Sequence, residues 1–166
     1  MTDREAVDFA TLGKQLVALV AGEPDPLANT ANFVGLLYQA LPSINWLGVY
    51  VLRGEELVLG PFQGKPACVR LPLGRGVCGT AALRRETLLV ADVDAFPGHI
   101  ACDPESRSEI VVPLEIGGEL VGVLDIDSPH LSRFTGVDQR GIENLCSIFG
   151  DELANKAPLP ERTGFI

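Results

Sequence analysis

Apolar residues recur at helical spacing near both ends of the chain and at strand spacing between them. Phe9, Leu12, Leu16, Leu19 and Val20 predict an amphipathic helix over residues 5–21, which Gly22-Glu23-Pro24 ends. Asp25-Pro26 opens a second helix, with proline in the first turn, where its missing N–H leaves no bond unmade. That helix carries Leu27, Phe33, Leu36 and Leu37 to about residue 41. The period then shortens to two. Residues 45–53 are rich in strand formers (Trp46, Val49, Tyr50, Val51), and Gly54-Glu55 turns them into a strand over 57–59. A strand near 68–71, bearing Cys68, precedes the glycine-punctuated stretch 74–80. A short helix over 77–85 and a short strand over 88–90 follow. Residues 91–107 read as one long loop, a length that tends to be functional in compact domains. Residues 109–116 and 119–126 predict a hairpin about Gly117-Gly118. A last helix spans 135–155, with Thr135 and Asp138 placed as a capping box in which Asp stands for the usual Glu or Gln.

Two helices, a run of mostly antiparallel strands and a closing helix predict an α+β domain. Helices would cover one sheet face, leaving the other face and the long loops to build a pocket. The 166 residues suit one domain, and a chain of that size buries roughly 70% of its unfolded surface without disulfide staples. The expected limits are a folded domain over 1–156 and a Pro-rich, frayed tail over 157–166. Acidic residues outnumber basic ones 22 to 13, for a net charge of -9. No basic cluster relieves this, so neither nucleic acid nor an anionic membrane is an expected partner. The charged start lacks the apolar core of a signal peptide, and no apolar run reaches membrane-spanning length, so a cytoplasmic location is expected.

In that reducing compartment the four cysteines are expected to be free rather than structural disulfides. Cys146 falls among Ile142, Leu145 and Phe149 and reads as a small buried hydrophobe. Cys102 sits in the long loop, three residues after His99, where access is easy. Cys78 falls near the start of the short helix, a setting that lowers a thiol pKa. Three cysteines and His99 could form a zinc site, but the spacing argues against it. No C-x-x-C knuckle is present, and no metal is expected. The carboxylates carry more information. Asp125 and Asp127, two apart on a strand, face one side. The hairpin about Gly117-Gly118 sets Glu109 across from Asp127. Like charges held together raise a pKa and keep a proton available at neutral pH. Thiols beside such acids suit sulfur redox chemistry on a small ligand that needs a proton and carries a positive group.

Five stretches carry a family resemblance: Gly60-Pro61-Phe62-Gln63-Gly64-Lys65 through Arg70, Gly74-Arg75-Gly76-Val77-Cys78-Gly79-Thr80, Gly98-His99-Ile100-Ala101-Cys102-Asp103, Ser108-Glu109-Ile110-Val111-Val112-Pro113, and Gly122-Val123-Leu124-Asp125-Ile126-Asp127-Ser128. In this order they resemble the free methionine-R-sulfoxide reductases, which are GAF-domain enzymes, over about residues 45–145. The resemblance implies that Cys102 attacks the sulfoxide sulfur and that Cys68 resolves the resulting sulfenic acid as a disulfide. Cys78 matches a third family cysteine, either an auxiliary thiol, an alternative resolver or part of the pocket wall. Glu109, Asp125 and Asp127 match pocket carboxylates, and Trp46 and Tyr50 match the pocket's aromatic side. Cys146 has no counterpart. The resemblance further implies free methionine sulfoxide as substrate and a homodimer; no bound cofactor is expected, and the chemistry of disulfide reduction makes thioredoxin the expected external reductant. A general acid on the sulfoxide oxygen, Glu109 or Asp127, is expected to be worth about 10²–10⁴ in rate. The competing class is a GAF ligand-binding or redox-sensing module without turnover. Such a module needs no resolving cysteine and usually sits in a longer signalling chain.

Overall fold

The structure, a computed structural model, describes residues 6–100 and 102–156. The expected frayed tail, 157–166, lies outside the described residues. Among them the elements run α1 (Phe9–Val20), α2 (Pro26–Ala40), β1 (Trp46–Arg53), β2 (Glu56–Gln63), β3 (Arg70–Pro72), α3 (Gly76–Arg84), β4 (Leu88–Val90), β5 (Ser108–Ile116), β6 (Glu119–Ser128) and α4 (Gly136–Ala154). The helices begin where side chains satisfy free N–H groups. Asp8 accepts from Thr11 N, Asp25 from Leu27 N and Ala28 N, and Thr135 and Asp138 form a reciprocal capping box on α4.

The six strands form one antiparallel sheet in the order β3-β2-β1-β6-β5-β4. Alternation along the central strands sorts side chains to two faces. Leu47, Val49 and Val51 of β1, Ile110, Val112 and Leu114 of β5, and Leu124 and Ile126 of β6 pack under α1, α2 and α4. Phe33 of α2 stacks on Phe149 of α4, with ring centroids 4.2 Å apart. The residues between them, Trp46 and Tyr50 of β1, Val111 of β5 and Val123 of β6, face the other way and pack with α3 and the loops. The expected division into a helical face and a pocket face therefore holds, with the short α3 lying on the pocket side.

Gly117 and Gly118 both take positive φ, 59° and 82°, as a tight two-residue hairpin turn demands. The turn pairs Ile116 with Glu119, and a register shift between Leu114 and Glu115 then moves the ladder by one residue, so that Glu109 pairs with Asp127 rather than with Ile126.

Two strand expectations need correction. β2 does not stop at residue 59 but runs on through Gly60-Pro61 to Gln63. A register shift between Gly48 and Tyr50 absorbs the extra residues, a bulge that accommodates a proline with no N–H to offer the ladder. Cys68 is not on a strand. β3 starts two residues later, and Cys68 lies in the preceding loop, its carbonyl accepting from the Tyr50 hydroxyl at 2.9 Å. Part of the long 91–107 loop is also ordered, as a single 3-10 turn at Val93–Ala95 capped by Asp92. No helix among the described residues is long and apolar enough to cross a membrane.

Candidate active site

Between the pocket face of the sheet, α3 and two loops lies about 570 Å³ of empty space, including its mouth to solvent. β1 supplies Trp46 and Tyr50, β5 supplies Glu109, and β6 supplies Asp125 and Asp127 to the walls. α3 adds Val77 and Cys78, and the long loop adds His99, Ile100, Cys102, Asp103 and Ser106. The remaining wall is the segment that leads to Cys68, with Lys65, Pro66 and Ala67. All the residues singled out from sequence thus converge here except Cys68, which reaches the site by a covalent bond. Cys68 and Cys102 form a disulfide, with Cα atoms 5.6 Å apart, well inside the reach of such a bridge. The expectation that all four cysteines are free holds only for Cys78 and Cys146.

Backbone geometry opens room for the aromatic wall. A Cβ at Gly48 would collide with the Trp46 ring and with Phe62 Cβ, so only glycine lets the indole lie over that strand. The ring stacks between Tyr50 and Phe62, with centroids 5.8 and 5.5 Å away. Its Nε1 donates to Lys65 O at 3.0 Å. With the Tyr50–Cys68 bond, this fastens the cysteine-bearing loop to β1 at two points. The opposite loop is tied as well. Asn45 Nδ2 donates to Asp103 Oδ2 at 3.2 Å and to Ser106 Oγ at 3.1 Å, and Lys65 forms ion pairs with Asp103 and Glu105. Ser106 carried no sequence signal, and Lys65 and Asp103 entered only as members of the family-like stretches, with no role assigned. They fall in loops without periodicity, and only the fold brings them together.

The electrostatics are those of acids crowded in a low dielectric. Glu109 and Asp125 are buried, at 5% and 6% exposure, and Asp127 keeps more solvent contact. Burial, then the charges of Asp125 and Asp127, hold Glu109 well above the ordinary carboxylate range. Burial raises Asp125 to about 6, and hydrogen bonds with Glu109 and Cys78 restrain the rise. Burial and then Asp125 push Asp127 well up, with Asp103 adding to the effect and Ser106 opposing it. Glu109 is raised well up and Asp125 only to about 6, so Glu109 is the member of the pair that holds a proton at neutral pH. Two neutral-pH species follow on one floor: a carboxylic acid that can donate and a carboxylate that can accept.

Cys78 overturns one expectation. Its place near the α3 N-terminus suggested an acidified thiol, but burial and the charges of Asp125, Glu109 and Asp127 push it well above a free cysteine. Dielectric and neighbouring negative charge outweigh the helix terminus, whose influence fades within a turn. Cys78 stays a neutral thiol, donating to Glu109 Oε1 at 3.8 Å. Cys146 is likewise raised, by burial and by Glu143, and sits in the helical core away from the cavity. His99 Nε2 lies 4.0 Å from Glu109 Oε2. Cys78, Glu109 and Asp125 also present three donor atoms within 4.8 Å of one another, a spacing within reach of a metal ion.

Residues 33–154 match the GAF domain family. The chain is 53% identical over 137 residues to the free methionine-R-sulfoxide reductase of Escherichia coli, covering 82% of this chain and 83% of that protein. It superposes on the reduced form of the fRMsr of Staphylococcus aureus with a TM-score of 0.88 and 47% identity, over 93% of this chain and 100% of that one. The free methionine-R-sulfoxide reductase of Neisseria meningitidis, solved in complex with its substrate, aligns at a TM-score of 0.83 and 45% identity, over 87% of each chain.

Proposed function

The chain belongs to the GAF-domain free methionine-R-sulfoxide reductases, and from that membership and the cavity geometry we propose that it reduces free L-methionine-(R)-S-oxide to L-methionine. The observation that carries the reading is the Cys68–Cys102 disulfide beside a cavity floored by Glu109, Asp125 and Asp127. It corresponds to the oxidised end of a thiol redox cycle.

The cycle starts from the reduced dithiol. A sulfoxide sulfur is a poor electrophile until its oxygen gains a proton. Glu109, held neutral by burial and by its acidic neighbours, is the proton donor, and such general acid help is worth about 10²–10⁴ in rate. The Cys102 thiolate takes the oxygen from the substrate, leaving methionine and a sulfenic acid on Cys102. The Cys68 thiol condenses with that sulfenic acid, releasing water and forming the disulfide. An external dithiol then reduces the bridge by exchange. Thioredoxin, with a potential of about -270 mV, suits this step. Cys78 stays protonated and steadies Glu109 rather than acting as first nucleophile.

Selectivity for the free amino acid follows from charge. The ammonium of the ligand finds the buried Asp125 carboxylate as its desolvated partner. A peptide-bound sulfoxide has no such charge and would leave a buried carboxylate unpaired, at about 1–3 kcal/mol or more. Trp46 offers its ring to the S-methyl group. The catalytic unit spans residues 1–156 in this reading. The two free buried thiols fit a reducing, cytoplasmic setting. Val17 and Leu19, apolar yet 40% exposed on α1, support a homodimer through the terminal helices.

The test is release of free methionine from the R- and S-epimers of free and N-acetylated methionine sulfoxide, with dithiothreitol or a thioredoxin system. Turnover is expected only with the free R-epimer, and Cys102→Ser should abolish it. Tight binding without turnover would favour the sensor class instead, and activity in Cys102→Ser would remove Cys102 from the chemistry.

A further inference from the structure

We propose that the cavity floor is also a reversible binding site for a divalent cation of the zinc class, with Cys78 Sγ, Glu109 and Asp125 as its protein ligands. The three side chains come from α3, β5 and β6, are all buried, and place their donor atoms within 4.8 Å of one another. Cys78 Sγ lies 3.8 Å from Glu109 Oε1. In a tetrahedral zinc site, with Zn–S about 2.3 Å and Zn–O about 2.1 Å, a sulfur and an oxygen ligand stand about 3.6 Å apart. That edge of the coordination polyhedron is therefore already nearly formed.

A second observation points to a cation independently of the clustering. Asp125 Oδ1 is buried and has no hydrogen-bond partner, in a residue 6% exposed that lines the cavity. A buried carboxylate oxygen left without a donor is costly, and a positive ion in the cavity would satisfy it. The basic side chains in the walls do not fill that role. Lys65 is paired with Asp103 and Glu105, Arg75 is exposed, and His99 approaches Glu109 at 4.0 Å. One thiolate and two carboxylates suit zinc rather than magnesium or calcium, which call for all-oxygen shells. The fourth position is left to solvent. Metal binding releases the Cys78 thiol proton to solvent. The ligands are far apart in sequence and form no short knuckle, so spacing alone did not mark them.

Cys78 stands outside the Cys68–Cys102 bridge, so the site exists in the oxidised protein as well as the reduced one. Glu109 and Asp125 are also the groups assigned to the substrate, so metal and methionine sulfoxide exclude each other. This last point rests on the proposed reductase reading, whereas the binding itself does not.

The experiment titrates cobalt(II), as a spectroscopic stand-in for zinc, into the oxidised full chain without added thiols. One equivalent should bind with a thiolate-to-cobalt charge-transfer band, and zinc should displace it. Cys78→Ser should remove the band, whereas Cys146→Ser should keep it. Asp125→Asn, which retains every thiol, should weaken binding by more than about tenfold, since even loss of an outer-shell partner costs about 10–100-fold. Zinc should inhibit turnover competitively with methionine sulfoxide, and a chelator should restore it. No band in the oxidised protein, a band that survives in Cys78→Ser, or wild-type affinity in Asp125→Asn would each overturn the site. Because binding is read without turnover, any of these results leaves the reductase assignment standing.

Discussion

Asp125→Asn should make the protein more stable at neutral pH while impairing it as an enzyme. Asp125 is buried, and its carboxyl is raised from 3.8 to about 6. Between those values the folded protein holds a proton that the unfolded chain has already released. Stability therefore falls as pH rises through this window, because the native state binds more protons there than the unfolded state. At about 1.4 kcal/mol per pH unit, the window is worth on the order of 3 kcal/mol. An asparagine of the same shape has no charge to bury and escapes this loss. It also removes the Asp125 charge that helps raise both Glu109 and Asp127. Urea unfolding of the oxidised protein from pH 4 to pH 8, at fixed ionic strength, reads the effect directly. The two proteins should be close in stability near pH 4. The variant should pull ahead by on the order of 3 kcal/mol by about pH 7 and keep that lead above it. Its affinity for methionine sulfoxide should fall, since the ligand ammonium loses a carboxylate. A variant no more stable than wild type at pH 8, or a gap that does not widen between pH 4 and pH 7, would refute the picture of a strained buried acid.

Other perturbations probe separate parts of the same arrangement. Glu109→Gln should fold normally by circular dichroism and lower kcat by about 10²–10⁴; a rate near wild type would take the proton donor role away from Glu109. Cys68→Ser should release one methionine per protein in a burst and then fail to cycle with thioredoxin, and full cycling would hand the resolving role to Cys78. Phe149→Ala removes a ring that is 1% exposed and stacked on Phe33 at 4.2 Å. It should cost about 3–5 kcal/mol of unfolding free energy, and a loss under about 1 kcal/mol would contradict the close packing of α2 and α4 over the sheet.

Much of the pocket was legible from residue order alone. The period of two along β1, β5 and β6 puts Tyr50, Glu109, Asp125 and Asp127 on the face away from the helices, as the heavy apolar load on the alternate positions requires. Gly117 and Gly118 determine the turn and pair Ile116 with Glu119, but it takes the register shift between Leu114 and Glu115 to set Glu109 against Asp127. The alternation and the turn are short-range effects of hydrophobic pattern and backbone sterics, so neighbouring residues suffice to encode them, whereas the bulge exists only in the pairing of the two strands. The extent of β2 escapes a local reading for a related reason. Gly60-Pro61 looks like a strand end locally, and only pairing with β1 through a bulge shows that the strand continues.

What tertiary structure alone decided concerns atoms from distant elements. The meeting of Cys68 with Cys102 depends on two loops that carry no periodicity and are held by Tyr50, Trp46, Asn45 and Lys65. The protonation of Cys78 depends on how deeply the fold buries it and on which acids surround it, which reverses the acidifying effect read from its place at a helix start. Charge and desolvation act through space across the whole site, and neither quantity exists along a chain until its walls have closed.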